Sequence, residues 1–302
     1  MIKNLVLKGG GVKGIAYVGA LHELEKVGML GGIERVAGTS VGSLVAGMVC
    51  AGYNADEIEK LMFNMKFEKF KSGFNPFRLF THYGLYSGNY ILRFIHDFMN
   101  ASPMKLQPGA TFYQMQKAGC KNLYVFSCNL HKHIVEEFSV DTTPHAVVAD
   151  AIRASMSIPI FFKAWQFPNG IPNKDIYVDG GIVYNYPLTF FDGSRFNTYE
   201  HENLDSLGLY LNARINNKEA KLGFSTPIFF MKQLLESLLD TQNFIMHEDK
   251  EEMRRSILID DLGFPATDFN ITDSNKRKLV ESGRQAVKTY LEKKKQQQEV
   301  SI

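Results

Sequence analysis

Apolar and polar positions alternate along this chain in two rhythms, one of period two and one of period 3.6. Asn4 to Lys8 (NLVLK) is a short, mostly apolar run of strand type. A glycine cluster follows, and then Ile15, Val18, Leu21 and Leu24 mark one face of a helix from Ile15 to about Val27. Gly28 ends that helix. Val36-Ala37 is the next apolar run, and Ser43 to Ala51 is small and apolar at helical length. Strand, glycine turn, helix and second strand predict a βαβ start, and so a parallel sheet.

Further along, Asn122 to Asn129 (NLYVFSCN) reads as a strand, with Ile134 to Ser139 as its return. Val147 to Met156 reads as a helix that Pro159 stops. Ile176-Tyr177-Val178 and Ser206 to Leu211 are strands. Thr226 to about Arg254 has the pattern of one long amphipathic helix, with Phe230, Leu234, Leu238 and Phe244 among its apolar positions. Ser256 to Asp260 is a last strand, and Ser274 to about Lys294 a last helix. Residues 293–302 are polar and of low complexity, and are expected to be disordered.

Between these blocks lies a helical insertion, about 55–118. Phe63, Phe67, Phe70, Phe74, Phe77 and Phe80 recur every three or four residues. Lys66, Lys69, Lys71 and Arg78 interleave with them, against the single acid Glu68. Gly73 and Pro76 break any single long helix here. Two readings fit: a core-packed insertion, or an interfacial cap whose aromatics dip into lipid while its lysines meet anionic headgroups. Both can hold for different faces.

Composition narrows the class. The chain has 302 residues with 45% hydrophobic content, enough for a full core. No repeat or linker divides it, which predicts one domain. A net charge of +2 argues against general nucleic-acid binding. Three cysteines, Cys50, Cys120 and Cys128, have no metal spacing and read as free thiols in a reducing compartment. His131 and His133 form an H-x-H that reads as a turn, since no third ligand stands near. The opening MIKNLVLKGGG enters a strand directly, and no run of about 18 apolar residues occurs. These features predict a cytoplasmic protein that meets membranes peripherally; secretion by a signal-independent route stays open.

The chemistry is concentrated at three stretches. Gly38-Thr39-Ser40-Val41-Gly42 is a Gly-x-Ser-x-Gly pattern between a strand and a helix, the setting of a nucleophile elbow. A serine N-cap on an ordinary loop is its plain alternative. Gly9-Gly10-Gly11-Val12-Lys13-Gly14 satisfies G-x-G-x-x-G, but the acid that should close the second strand of a dinucleotide site, Glu34, opens it instead. A Walker loop fails because Ile15 and Ala16 stand where Lys and Ser/Thr are required. The remaining use of such a turn is to aim backbone N–H groups at an oxyanion. Asp179-Gly180-Gly181 ends a strand, and reads either as a site carboxylate or as an Asp-Gly turn. Asn185-Tyr186-Pro187 is expected to brace it.

Taken with Ala154-Ser155-Met156-Ser157-Ile158-Pro159, these three stretches resemble, in order and spacing, the patatin-like phospholipase family, over about Leu5 to Leu211. The Gly263-to-Gly283 stretch is similar to the C-terminal part of many bacterial members. The resemblance implies a three-layer α/β/α sandwich around a mostly parallel sheet, a patatin-like domain over 1–292 with a C-terminal helical part at about 214–292. It implies a Ser–Asp dyad, with Ser40 as nucleophile and Asp179 as its base. Gly10 and Gly11, with Val41, would line the oxyanion hole. Gly9, Lys13, Gly14, Gly38, Gly42, Gly180 and Gly181 would support the motifs. The implied substrate is a phospholipid or lysophospholipid at a membrane surface, with no cofactor and no metal. Implied alternatives are a protein activated by, or kept for, a protein partner, and an acyltransferase. A Ser-His-Asp triad is the mechanistic rival, with His201 and His247 in the right order.

Overall fold

The structure is a computed structural model that describes residues 1–197, 202–212, 230, 233–234, 237–238 and 249–300. Nine strands run in chain order among them. They are β1 (Asn4–Leu7), β2 (Arg35–Thr39), β3 (Gly84–Tyr86), β4 (Asn122–Asn129), β5 (Ile134–Phe138), β6 (Ile160–Phe162), β7 (Tyr177–Asp179), β8 (Ser206–Asn212) and β9 (Ser256–Asp260). The main sheet is 7-stranded, in the order β5-β4-β2-β1-β8-β9, with β7 also on β4. The pairs β1–β2, β1–β8, β2–β4 and β8–β9 are parallel, while β5 and β7 run antiparallel to β4. The expected α/β class is the one found.

The central strands are apolar throughout because both faces of the sheet are covered. Leu5 and Leu7 enter a large core with α1 (Ala16–Lys26), α2 (Val41–Cys50) and α7 (Val148–Ser155). Val6, between them, enters a second core closed by Tyr186, Leu188 and Phe191.

The C-terminal helix, α9 (Asp273–Val300), lies across α1 at backbone contact. A Cβ on Gly19 would fall 1.8 Å from the carbonyl oxygen of Val280, and one on Gly283 would fall 2.0 Å from that of Ala16. Glycine is required on both sides of this crossing. Helix α9 also corrects an expectation. It continues through the polar stretch from Lys293 onward, which was expected to be disordered. The reason is local: lysine, glutamine and glutamate are strong helix formers, and no glycine or proline interrupts them.

The insertion is a set of short pieces: α3 (Ala55–Asn64), α4 (Arg78–His82), α5 (Asn89–Asn100) and α6 (Phe112–Lys117), with a 3-10 turn over Phe67–Lys71. Its aromatics divide. Phe67 and Phe70 are buried, whereas Phe74, Phe77 and Phe80 are 60%, 78% and 82% exposed. Gly73, at φ 66, and Pro76 reset the helical phase between the two groups. The expected helix over 226–254 lies largely outside the described residues. At its described end a separate short helix, α8 (Lys250–Arg254), starts at Asp249, whose carboxylate accepts from the amides of Glu251 and Glu252. His131 and His133 stand in the β4–β5 turn, and His131 pairs with Asp175 at 3.2 Å.

Candidate active site

Ser40 leaves the sheet where β2 stops. Its backbone, at φ 54 and ψ −129, lies where side-chain-bearing residues are strained, at a cost of about 1–3 kcal/mol. The surrounding structure fixes it there. A Cβ on Gly38 would lie 2.4 Å from the carbonyl carbon of Gly42, and one on Gly42 would lie 2.2 Å from the carbonyl oxygen of Leu7. Any side chain at either position would push the elbow off the end of β1. The Ser40 amide donates to Ser155 Oγ at 2.8 Å, and Ser155 Oγ donates in turn to the carbonyl of Phe126 at 2.6 Å. Ser43 Oγ donates to the carbonyl of Ser40 at 2.6 Å. The serine is thus pinned on both sides of its Cα.

Asp179 reaches the same place from the other direction. Thr39, the last residue of β2, pairs with Phe126 of β4. The next rung of β4, Ser127, pairs with Asp179 of β7. Strand β7 therefore takes over the side of β4 that β2 vacates, and its last residue stands beside the first residue past β2. Strand β7 is antiparallel to β4 and enters from beyond the carboxyl edge of the parallel strands. Its three residues carry no pattern that shows direction. The Asp-Gly-Gly that follows forms a 3-10 turn over Gly180–Ile182 rather than a hairpin. A Cβ on Gly180 would lie 2.5 Å from the carbonyl oxygen of Phe126, so this turn also packs on backbone.

The two side chains meet. Ser40 Oγ donates to Asp179 Oδ2 at 2.6 Å, and both residues are only 5% exposed. Asp179 Oδ1 accepts the Gly181 amide at 2.7 Å, and the Asp179 amide donates to the carbonyl of Ser157 at 2.9 Å. Burial pushes the Asp179 carboxyl up to about 7; the bonds from Ser40 and Gly181 and the charge of Arg153 limit the rise. Among the described residues no imidazole touches either side chain. His201 and His247, the triad candidates, lie outside the described residues.

Arg153 is fully buried. Its Nη1 donates to Ser157 Oγ at 2.7 Å, and its Nη2 to the carbonyls of Ser87 and Lys163 at 3.2 and 3.3 Å. The guanidinium carbon lies 5.1 Å from the Trp165 ring centre. Burial lowers its pKa to about 10, against the opposing pull of Asp150 and Asp179.

The glycine loop completes the site. A Cβ on Gly9 would fall 3.2 Å from Ser40 Cβ and 2.2 Å from Asn185 Oδ1. The Gly9 amide donates to the carbonyl of Asn185 at 3.0 Å, which ties Asn185 to the glycine loop. Gly14 faces Val41, at 2.5 Å from a built Cβ to Cγ2. Gly11, at φ 58, has no room for a side chain, because a Cβ would meet Ala266 O at 2.0 Å. The Val12 amide donates to that same oxygen at 3.0 Å. Lys13 Nζ donates to the buried Asp261 Oδ2 at 2.8 Å. Within the described residues, the N–H groups of Gly10, Gly11 and Val41 have no acceptor. Val41 directly follows the strained serine, and Gly10 and Gly11 follow Gly9, which packs on Ser40.

Three parts of this arrangement escaped the sequence reading. Arg153 sits in an apolar helix with nothing local to mark it. The task of Ser155 is set by a contact 115 residues away. Asp261 and Ala266 follow β9, and here a signal existed: Asp260-Asp261-Leu262-Gly263 is a strand-end acid before a glycine, as at Asp179.

A family model described as patatin-like phospholipase matches residues 5–192. A protein of Acanthamoeba polyphaga mimivirus is 31% identical over 96% of this chain and 94% of its own length. A "Probable lipid hydrolase" of invertebrate iridescent virus 6 is 27% identical over 62% of each chain. Among solved structures, VipD from Legionella pneumophila matches with a TM-score of 0.62 at 18% identity, over 97% of this chain and 67% of VipD. At that identity the likeness is one of fold.

Proposed function

Because the chain belongs to the patatin-like phospholipase family, we propose that it is a serine acyl hydrolase that frees fatty acids from phospholipids or lysophospholipids. The observation that carries this reading is the 2.6 Å bond between the buried Ser40 Oγ and Asp179 Oδ2, with no imidazole in contact among the described residues. A serine hydroxyl is a weak nucleophile and needs an adjacent acceptor. In water an aspartate is a poor one; raised to about 7 it is matched to proton transfer near neutrality.

As Ser40 Oγ attacks the ester carbonyl carbon, its proton passes to Asp179 Oδ2. The carbonyl π pair moves onto oxygen, and the N–H groups of Gly10, Gly11 and Val41 receive that charge, at a value of roughly 3 kcal/mol per donor. Collapse expels the alcohol of the lipid, which takes the proton from Asp179 and leaves an acyl-Ser40 ester. Water then gives its proton to Asp179 and attacks this ester. The second collapse returns the proton to Ser40 Oγ and releases the fatty acid. Lys13 and Asp261 act by holding the glycine loop in place. The reading needs no cofactor and no metal. It puts the enzyme on the cytoplasmic side, acting at a membrane surface.

Fatty-acid release from phospholipid vesicles tests it, together with a fluorophosphonate probe read by mass spectrometry. Release by the wild type, loss in Ser40→Ala and Asp179→Asn, and a label on Ser40 are expected. Loss in His201→Ala or His247→Ala with activity kept in Asp179→Asn would replace the dyad by a triad. A second reading, a patatin-like protein opened by a protein activator, draws on the 5% exposure of both side chains. It predicts that added cell lysate raises turnover of a short-chain chromogenic ester.

A further inference from the structure

We propose that Phe74, Phe77, Phe80 and Tyr83 form a docking ridge for an anionic lipid bilayer, which brings the site of Ser40 and Asp179 to the surface holding its substrate. The inference rests on the acyl-hydrolase reading for its purpose, but its test does not require turnover.

Four aromatic side chains within ten residues are 60%, 78%, 82% and 54% exposed. Scattered exposed apolar residues are ordinary; a run of large aromatics on one short segment is an interaction surface. The segment is also firmly built. Arg78 Nη1 donates to the carbonyls of Gly73 and Leu85 at 2.5 and 3.2 Å. The Asn75 amide donates to Leu85 O at 2.9 Å, and the Phe77 amide to Asn75 Oδ1 at 2.9 Å. The rings are therefore held outward by a closed backbone frame, while their neighbours Phe67 and Phe70 fill the core.

Charge selects the occupant. From Lys66 to Tyr90 the chain carries four basic residues, Lys66, Lys69, Lys71 and Arg78, and one acid, Glu68. Arg78 is spent on the frame, but Lys66 and Lys69 are exposed. Aromatics flanked by lysines match a surface with an apolar interior and anionic headgroups. An acidic segment would have suited a basic protein partner, and this segment is basic.

The frame also joins the ridge to the site. Strand β3 follows Tyr83 directly and pairs with β6. Strand β6 begins just after Ser157, whose carbonyl holds the Asp179 amide. Arg153, whose charge acts on Asp179, donates to Ser87 O at the far end of β3. A bilayer resting on the ridge would thus bear on the same frame that holds the acid.

The test uses the full chain carrying Ser40→Ala, so that hydrolysis cannot alter the vesicles. Flotation is measured with phosphatidylcholine vesicles, plain and with about 30% phosphatidylglycerol. Binding to the anionic vesicles, weakened by salt, is expected. Phe77→Ser with Phe80→Ser should lower that binding by about tenfold or more, and Lys66→Glu with Lys69→Glu should lower it on anionic vesicles only. In the Ser40 background the aromatic pair should leave turnover of a soluble short-chain ester unchanged, which reports an intact fold. Undiminished flotation of the aromatic variant overturns the proposal, as does failure of the Ser40→Ala protein to bind either vesicle. Light scattering that shows a wild-type dimer broken by the aromatic substitutions, with flotation intact, would make the ridge a subunit contact and overturn it too. Flotation without any ester or lipid turnover by the wild type would instead sink the acyl-hydrolase reading and leave the ridge standing.

Discussion

Ser40 and Asp179 touch, but they are held in opposite ways. Ser40 is fixed by its backbone: a positive φ, glycines packed onto backbone atoms at 38 and 42, and hydrogen bonds on its amide and carbonyl. Asp179 has an ordinary extended backbone, φ −50 and ψ 128, and is governed by its surroundings: burial, two hydrogen bonds and the charge of Arg153. The serine is a matter of shape and the aspartate one of electrostatics. Changes on the serine side should therefore alter rate at every pH. Changes around the aspartate should move the pH at which the rate appears.

The largest test of this contrast is Asp179→Asn. It should cut turnover of a soluble ester by roughly 10⁴-fold, since the proton acceptor is gone. The same change should raise stability at alkaline pH. The folded carboxyl titrates at about 7 against 3.8 for the free group. Between those values the folded chain holds a proton that the unfolded chain has lost, so stability falls as pH rises from about 4 to about 7 and is level beyond. Asparagine escapes that loss. Its melting temperature should exceed wild type by on the order of 3 °C at pH 8 and by less at pH 5. A uniform drop would show that Asp179 is a structural partner only.

Ser155→Ala comes next. It removes the acceptor of the buried Ser40 amide, at a cost of about 1–3 kcal/mol. A fall in kcat of about tenfold or more is expected, with KM nearly constant and no shift in the pH profile. For the wild type, kcat/KM should rise about tenfold per pH unit up to about 7 and then level. Asp261→Asn should have a smaller effect, a loss of about three- to tenfold at all pH values, because it loosens the clamp on Lys13 rather than the base. The smallest and most telling change is Arg153→Gln. Losing a cation that favours ionised Asp179 should move the rate midpoint upward by about half a pH unit. Arg153→Lys should restore it. A midpoint that stays still would remove Arg153 from the electrostatic side.

The same contrast explains what could be read from the sequence. The elbow and the glycine loop were legible because backbone shape demands particular residues at fixed spacing, and only glycine fits against Leu7 O or Ala266 O. The identity of Asp179 was legible from its glycine punctuation, but its direction of approach was not. Arg153 left no trace, because a buried cation is recognised by partners at Ser87 and Lys163 that no local pattern reveals. The aromatic stretch was half legible. Three- to four-residue spacing announced a helix, and Gly73 and Pro76 turned the later rings outward while Phe67 and Phe70 went inward.

The clamp between Lys13 and Asp261 spans 248 residues of chain. Synthesis runs from the amino end, so the elbow, the loop and even Asp179 emerge from the ribosome well before the loop after β9 that secures them. A nascent chain that already carries Ser40 and Asp179 still lacks Asp261, Ala266 and the helix that crosses α1. The glycine loop beside the elbow is thereby clamped only once the residues after β9 have been made.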